Sequence, residues 1–98
     1  MAGTITPVTM PKWGLTMTEG MVAKWLVAVG TSIGAGAEIM EIETTKITNV
    51  FESPAAGTLR RQVVPEGATV PIGGLLAVVA DDSVSDAEID AFIAKFQA

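Results

Sequence analysis

Lys46 is the residue whose setting most invites a chemical reading. It stands in Glu41-Ile42-Glu43-Thr44-Thr45-Lys46-Ile47-Thr48-Asn49-Val50-Phe51-Glu52, between two short runs, Ile39 to Thr44 and Ile47 to Phe51. Both runs are rich in β-branched and apolar side chains, which suit a pleated, half-buried surface. The pair therefore reads as a hairpin with Lys46 at or beside its tip. No Asn-Gly or Asp-Gly marks the reversal, so the turn type stays open. A lone loop lysine is ordinarily just solvated; held on a rigid tip, it can also serve as an attachment point. Glu41, Glu43 and Glu52 add negative charge nearby, either as a solvated face or as a surface that steers a basic partner.

The remaining composition removes most other chemistry. The 98 residues include neither His nor Cys, so the commonest general base, thiolate catalysis, disulfides and most zinc sites are excluded. No spacing of Asp, Glu, Ser or Lys supports a catalytic constellation. Eleven acidic against six basic residues give a net charge of −5, which argues against nucleic acid as a partner. The longest uninterrupted apolar run, Leu75 to Ala80, is too short to cross a bilayer. The N-terminus lacks the basic start and apolar core of a secretory signal. The expectation is a soluble, cytoplasmic protein with no membrane partner.

The elements that must position Lys46 follow from a repeat. The length suits one domain, and ten glycines with five prolines favour many short strands joined by turns. Gly20, Gly30 and Gly36 recur 37 positions later as Gly57, Gly67 and Gly73. In the same register Val22 falls on Leu59, Leu26 on Val63, Ile33 on Val70, Ile39 on Leu76 and Ile42 on Val79. Glycines mark turns or close backbone approach, and the apolar positions mark a core face. Each copy reads strand, turn, short strand, turn, strand. Neither copy can bury its own apolar face, so the two must pack together.

The fold class is therefore all-β: a flattened barrel or sandwich of two antiparallel sheets with pseudo-two-fold symmetry. Under that symmetry the Lys46 hairpin links the copies and projects at the end opposite the chain termini. Residues 1–4 read as a loose tail, and Ile5 to Met10 as an edge strand because it contains Pro7. The loop Pro11 to Gly20 carries Trp13, Leu15 and Met17, which either fold back on the core or form an interaction surface.

The C-terminal segment differs in kind. Ser85 and Glu88 form a capping box, Val84 and Ile89 a hydrophobic staple, and Ile89, Phe92, Ile93 and Phe96 one helical stripe. These predict a short helix over about residues 86–96, docked either on the barrel or against a following domain. The expected organisation is a barrel over residues 1–82, then a helix and the start of a linker over 83–98.

With these features assembled, the sequence resembles a lipoyl domain. It is most similar to those of the acyltransferase components of 2-oxo-acid dehydrogenase complexes. MPKWGLTMTEG (Met10 to Gly20), EIETTK (Glu41 to Lys46), SPAAGTL (Ser53 to Leu59) and EGATVPIG (Glu66 to Gly73) carry the resemblance. Within that family, the Thr-Thr-Lys-Ile turn and the tail DAEIDAFIAKF (Asp86 to Phe96) look most like the acetoin dehydrogenase complex. The family's usual turn is Asp-Lys-Ala; here Thr45 and Ile47 flank the lysine. That departure bears on partner recognition more than on attachment, since ligases read the lysine's position.

The resemblance implies a barrel-sandwich hybrid fold and lipoic acid held in amide linkage on Lys46, with Thr44, Thr45 and Ile47 as turn neighbours. It implies a non-catalytic carrier whose swinging arm moves acyl groups and electrons between active sites. Its partners would be a lipoyl ligase or transferase, a thiamine-dependent decarboxylase, the acyltransferase catalytic domain and dihydrolipoamide dehydrogenase. Glu41, Glu43, Glu52 and Trp13 would contribute to partner recognition, with no catalytic and no metal-binding residues. Two other readings use the same fold: a biotin carrier of a carboxylase, and an unmodified adaptor or binding module. Biotinyl relatives place Met on both sides of the lysine, which Thr45 and Ile47 do not match.

Overall fold

The computed structural model describes residues 5–15, 17–44 and 47–97, without the side chain of Gln97. The expectation for residues 1–4, and the positions of Thr45 and Lys46, lie outside the described residues. Among the described residues, eight strands and one helix follow in order: β1 Ile5–Thr9, β2 Glu19–Trp25, β3 Ser32–Ile33, β4 Glu38–Glu43, β5 Thr48–Glu52, β6 Gly57–Gln62, β7 Thr69–Pro71, β8 Leu75–Ala80 and α1 Asp86–Gln97. Two four-stranded sheets result, ordered β1-β8-β6-β3 (sheet A) and β5-β4-β2-β7 (sheet B). All pairings are antiparallel. The expected all-β barrel-sandwich with a short helix is what forms, and Pro7 lies in an edge strand, where its missing N–H costs no ladder bond.

The repeat is structural down to single hydrogen bonds. Gly30 N–H donates to Leu59 O at 2.7 Å, and Gly67 N–H donates to Val22 O at 2.7 Å. Leu59 N–H to Thr31 O and Val22 N–H to Ala68 O are both 2.9 Å. Ladder irregularities are also duplicated, between Val22 and Lys24 in one half and between Leu59 and Arg61 in the other. Gly30, Gly36, Gly67 and Gly73 adopt positive φ, a region that L side chains rarely enter, so these four positions fix the repeat's turns.

The copies are interleaved as well as stacked. β3 of the first copy closes sheet A, and β7 of the second closes sheet B. One core cluster between the sheets collects Val8, Met10, Val22, Ile33, Ile39, Met40, Ile42, Leu59, Val70, Leu76, Ala77 and Val79. The aligned apolar pairs are matched in burial too: Ile33 and Val70 are each 7% exposed. Each buried aliphatic side chain contributes about 1.5–3 kcal/mol of transfer free energy, so the interlocked faces hold the sandwich shut.

Helix α1 forms as its sequence predicts. The Glu88 N–H donates to Ser85 Oγ at 3.2 Å, which is the N-cap bond of the capping box. Val84 and Ile89, the staple pair, are buried with Val78 and Ala80 of β8 on the outer face of sheet A. The helix therefore docks on the barrel. Ion pairs support it: Arg60 Nη2 to Asp86 Oδ1 at 3.1 Å, and Arg61 to Asp86 and Asp90 at 3.4 and 3.2 Å.

Candidate functional site

The β4–β5 hairpin pairs Glu38 with Glu52, Met40 with Phe51, Glu41 with Val50, Ile42 with Asn49 and Glu43 with Thr48. Beyond the last pair, Thr44 N–H donates to Ile47 O at 2.7 Å. The Thr44 hydroxyl donates to the same carbonyl at 3.2 Å and accepts the Ile47 N–H at 3.3 Å. Thr44 and Ile47 are thus clamped across the strand ends; Thr45 and Lys46 stand between them in the sequence. Ile47 is 49% exposed, so the end of the hairpin faces solvent. The hydroxyl clamp at Thr44 was not anticipated from sequence. Its signal is a Thr where its side chain can replace a turn's backbone hydrogen bond.

The hairpin end is anchored to the body. Ile42 is fully buried and contacts the floor at Gly20, where an added Cβ would lie 2.9 Å from Met10 Sδ and 3.0 Å from Ile42 Cγ2. Met10 follows β1, whose opposite end pairs Ile5 with Ala80. The Thr44–Ile47 reversal therefore lies towards the β1–Met10 end, and the Ile5–Ala80 end is remote from it.

The acidic residues divide. Glu41 and Glu43 lie on the outer face of β4, where Glu43 is exposed and Glu41 half-buried. On the other side of β4, Lys24 pairs with Glu41 and Met21 with Glu43. Glu52 sits at the far end of β5 opposite Glu38, away from the reversal. A shallow hollow of about 190 Å³, lined by Glu19, Gly20, Met21, Glu43, Thr44 and Thr69, adjoins the hairpin end.

Trp13 packs edge-on against Phe51, with ring centroids 6.3 Å apart at 77°. Its backbone N–H donates to Met17 Sδ at 3.3 Å, and Met17 packs on the core. Leu15, in contrast, is 95% exposed. The loop folds back on the body through Trp13 and Met17, and Leu15 is left in solvent. Among the described residues, no three Asp or Glu side chains converge to hold a metal ion, and no helix is long and apolar enough to cross a membrane.

A family profile described as "Biotin-requiring enzyme", the biotin/lipoyl attachment family, matches residues 6–79. The chain belongs to this family. It is 51% identical over 94 residues to a Cupriavidus necator protein named dihydrolipoyllysine-residue acetyltransferase component of acetoin cleaving system, covering 96% of this chain and 25% of that protein. The Pseudomonas putida protein of the same name is 50% identical, over 93% of this chain and 25% of its own length. The corresponding component of the pyruvate dehydrogenase complex of Rickettsia typhi is 40% identical, over 90% of this chain and 22% of that protein. The chain thus spans about a quarter of these relatives. A solved single-chain, multi-domain long-chain acyl-CoA carboxylase shares the fold, with a TM-score of 0.64 at 23% identity over 93% of this chain and 8% of that one.

Proposed function

We propose that this chain is a lipoyl carrier domain, with Lys46 as the residue that receives lipoic acid in amide linkage. The observation that supports this most strongly is the closed Thr44–Ile47 clamp. It ties together the two residues that flank Thr45 and the lysine in sequence, on a hairpin whose inner face is locked into the core. A rigid mount of this kind lets a modifying enzyme address one amine among several. The relatives at 50–51% identity carry dihydrolipoyllysine in their names, which favours lipoate over biotin on this fold.

The chain's own contribution is presentation. An ordinary lysine in water is protonated near neutral pH, whereas amide formation needs the free amine. The sequence holds no His to deprotonate it, so activation of the carboxylate and removal of the proton fall to an external ligase. The lipoyl group, when attached, supplies a disulfide able to take up an acyl group and two electrons. Tethering then keeps it at ~mM effective concentration near each partner's site. Glu41 and Glu43 place negative charge beside the hairpin, and Trp13, packed on Phe51 of the same hairpin, is a further recognition residue. The partners are a lipoyl ligase, a thiamine-dependent decarboxylase, an acyltransferase catalytic domain and dihydrolipoamide dehydrogenase, in a cytoplasmic acetoin-cleaving system. The domain is a non-catalytic part of that acyltransferase.

The test is intact mass after incubation with lipoate, ATP and a lipoyl ligase, in parallel with biotin, ATP and a biotin ligase. One lipoyl adduct and no biotin adduct is the expected result. A biotin adduct, or none from either enzyme, overturns the reading.

A further inference from the structure

The pseudo-two-fold axis relates the outer faces of β4 and β8, and the two faces are finished differently. On β4 the outward positions are Glu41 and Glu43; 37 positions on, β8 presents Val78 and Ala80. β4 leaves Glu43 exposed and Glu41 half-buried, whereas every residue of β8 is buried, because α1 lies over it. The cross-strand partners follow suit. Lys24 of β2 stands opposite Glu41, and its counterpart Arg61 of β6 stands opposite Val78. With no carboxylate across the strand, Arg61 turns instead to Asp86 and Asp90 of α1, 3.4 and 3.2 Å away. Arg60 joins it, donating to Asp86 at 3.1 Å and to the Asp81 carbonyl at 2.7 Å.

We infer that α1 is an integral lid of the carrier unit. It covers on sheet A an apolar face that the first copy keeps compatible with water by means of Glu41 and Glu43. Val84 and Ile89 fill the seat formed by Val78 and Ala80, and Ile5, Val63, Phe92 and Ile93 close its edges. An exposed apolar sheet face invites association, and a sheet has two remedies, charge on the face or a helix over it. This chain uses one in each half. The carrier unit therefore continues past β8 through α1.

The symmetry also supplies the test, in the 98-residue chain. Ile89→Asp places a charge in the seat and lifts the lid. The melting midpoint should fall by at least about 10 °C, and the chain should bind an apolar dye such as anilinonaphthalene sulfonate. Val78→Glu with Ala80→Glu copies the finish of β4. In the otherwise unchanged chain this pair should lower the midpoint, because it evicts Ile89. In the Ile89→Asp background it should do the reverse, raising the midpoint and abolishing dye binding while the far-ultraviolet strand signal persists. The inference is overturned if the glutamate pair destabilises both backgrounds alike, including by leaving the triple variant unfolded. It is also overturned if Ile89→Asp leaves melting and dye binding unchanged.

Discussion

Trp25 and Gln62 occupy equivalent positions in the two half-repeats and make the same contact with different chemistry. The Trp25 indole N–H donates to the Val64 carbonyl at 3.0 Å, and the Gln62 side-chain amide donates to the Val27 carbonyl at 2.8 Å. Val27 and Val64 are themselves equivalent, so each half reaches across the axis to the segment following the other half's long strand. The Trp25 backbone N–H adds a bond to Glu66 Oε2 at 2.9 Å. Two reciprocal ties thus fasten the same pair of segments where the copies cross.

Because both ties join the same segments, their losses should be coupled. Trp25→Phe and Gln62→Ala should each cost about 1 kcal/mol, and the double variant should cost more than their sum. Urea unfolding of the two single variants and the double provides the cycle. Strict additivity would mean that the ties act independently.

Gly20 is required by space and Gly57 by backbone as well. A Cβ at Gly20 would press on Met10, Met17 and Ile42, whereas one at Gly34 meets nothing within 4 Å. Gly20→Ala should cost about 1–3 kcal/mol, and Gly34→Ala should be neutral or slightly stabilising. Thermal melts of the two variants separate these outcomes. At Gly57, a φ of 151° and the nearby Ala80 carbonyl make alanine costly even if side chains yield.

The latch of α1 depends on pH in a defined direction. Hydrogen bonds from Arg60, then from Arg61, hold the Asp86 carboxyl below its ordinary value of 3.8, and the exposure of the group keeps the effect modest. A lowered folded pKa means that the contribution is fully present above the ordinary value and is lost as pH falls through it to the lowered one. The melting difference between the unchanged chain and Asp86→Asn should therefore be constant from pH 7 to about 5. It should shrink towards zero below pH 3.8 and diminish in high salt. A difference that persists in acid would assign the role of Asp86 to packing instead.

Glu41 and Glu43 flank the hairpin end on one face, while Glu52 is remote from it. Glu41→Gln with Glu43→Gln should slow association with the proposed thiamine-dependent decarboxylase partner by about tenfold at low salt and flatten its ionic-strength dependence. Glu52→Gln should do less. Stopped-flow association over a salt series measures all three, and equal effects would remove the distinction drawn from the geometry.

Much of this architecture is legible in the sequence because glycines with positive φ and buried aliphatic residues cannot be exchanged freely. Gly30 with Gly67, Gly36 with Gly73, and Ile39 with Leu76 announce the repeat without any coordinates. The crossing of β3 and β7 between the sheets is not legible, since strands of two and three residues carry no pairing preference of their own. The Trp25–Gln62 relationship is hidden for another reason. An indole and a carboxamide share only an N–H donor, so aligning the copies by residue type passes over the pair. For α1, the cap and the apolar stripe predict a helix, but only the neighbourhood of Val78 and Ala80 decides what it packs against. At the hairpin, strand composition indicates the reversal, whereas the Thr44 hydroxyl that reinforces its closing backbone bond is a single-residue detail.

The central claim is that one lysine, Lys46, is the attachment point. The sequence offers Lys12, Lys24, Lys46 and Lys95 as side-chain acceptors. Tandem mass spectrometry of peptides from the ligase-treated chain, beside Lys46→Arg, measures the choice directly. The lipoyl mass is expected on the peptide containing Lys46 and on no other, with no adduct at all on Lys46→Arg. Modification of Lys12, Lys24 or Lys95, or undiminished loading of Lys46→Arg, would contradict it.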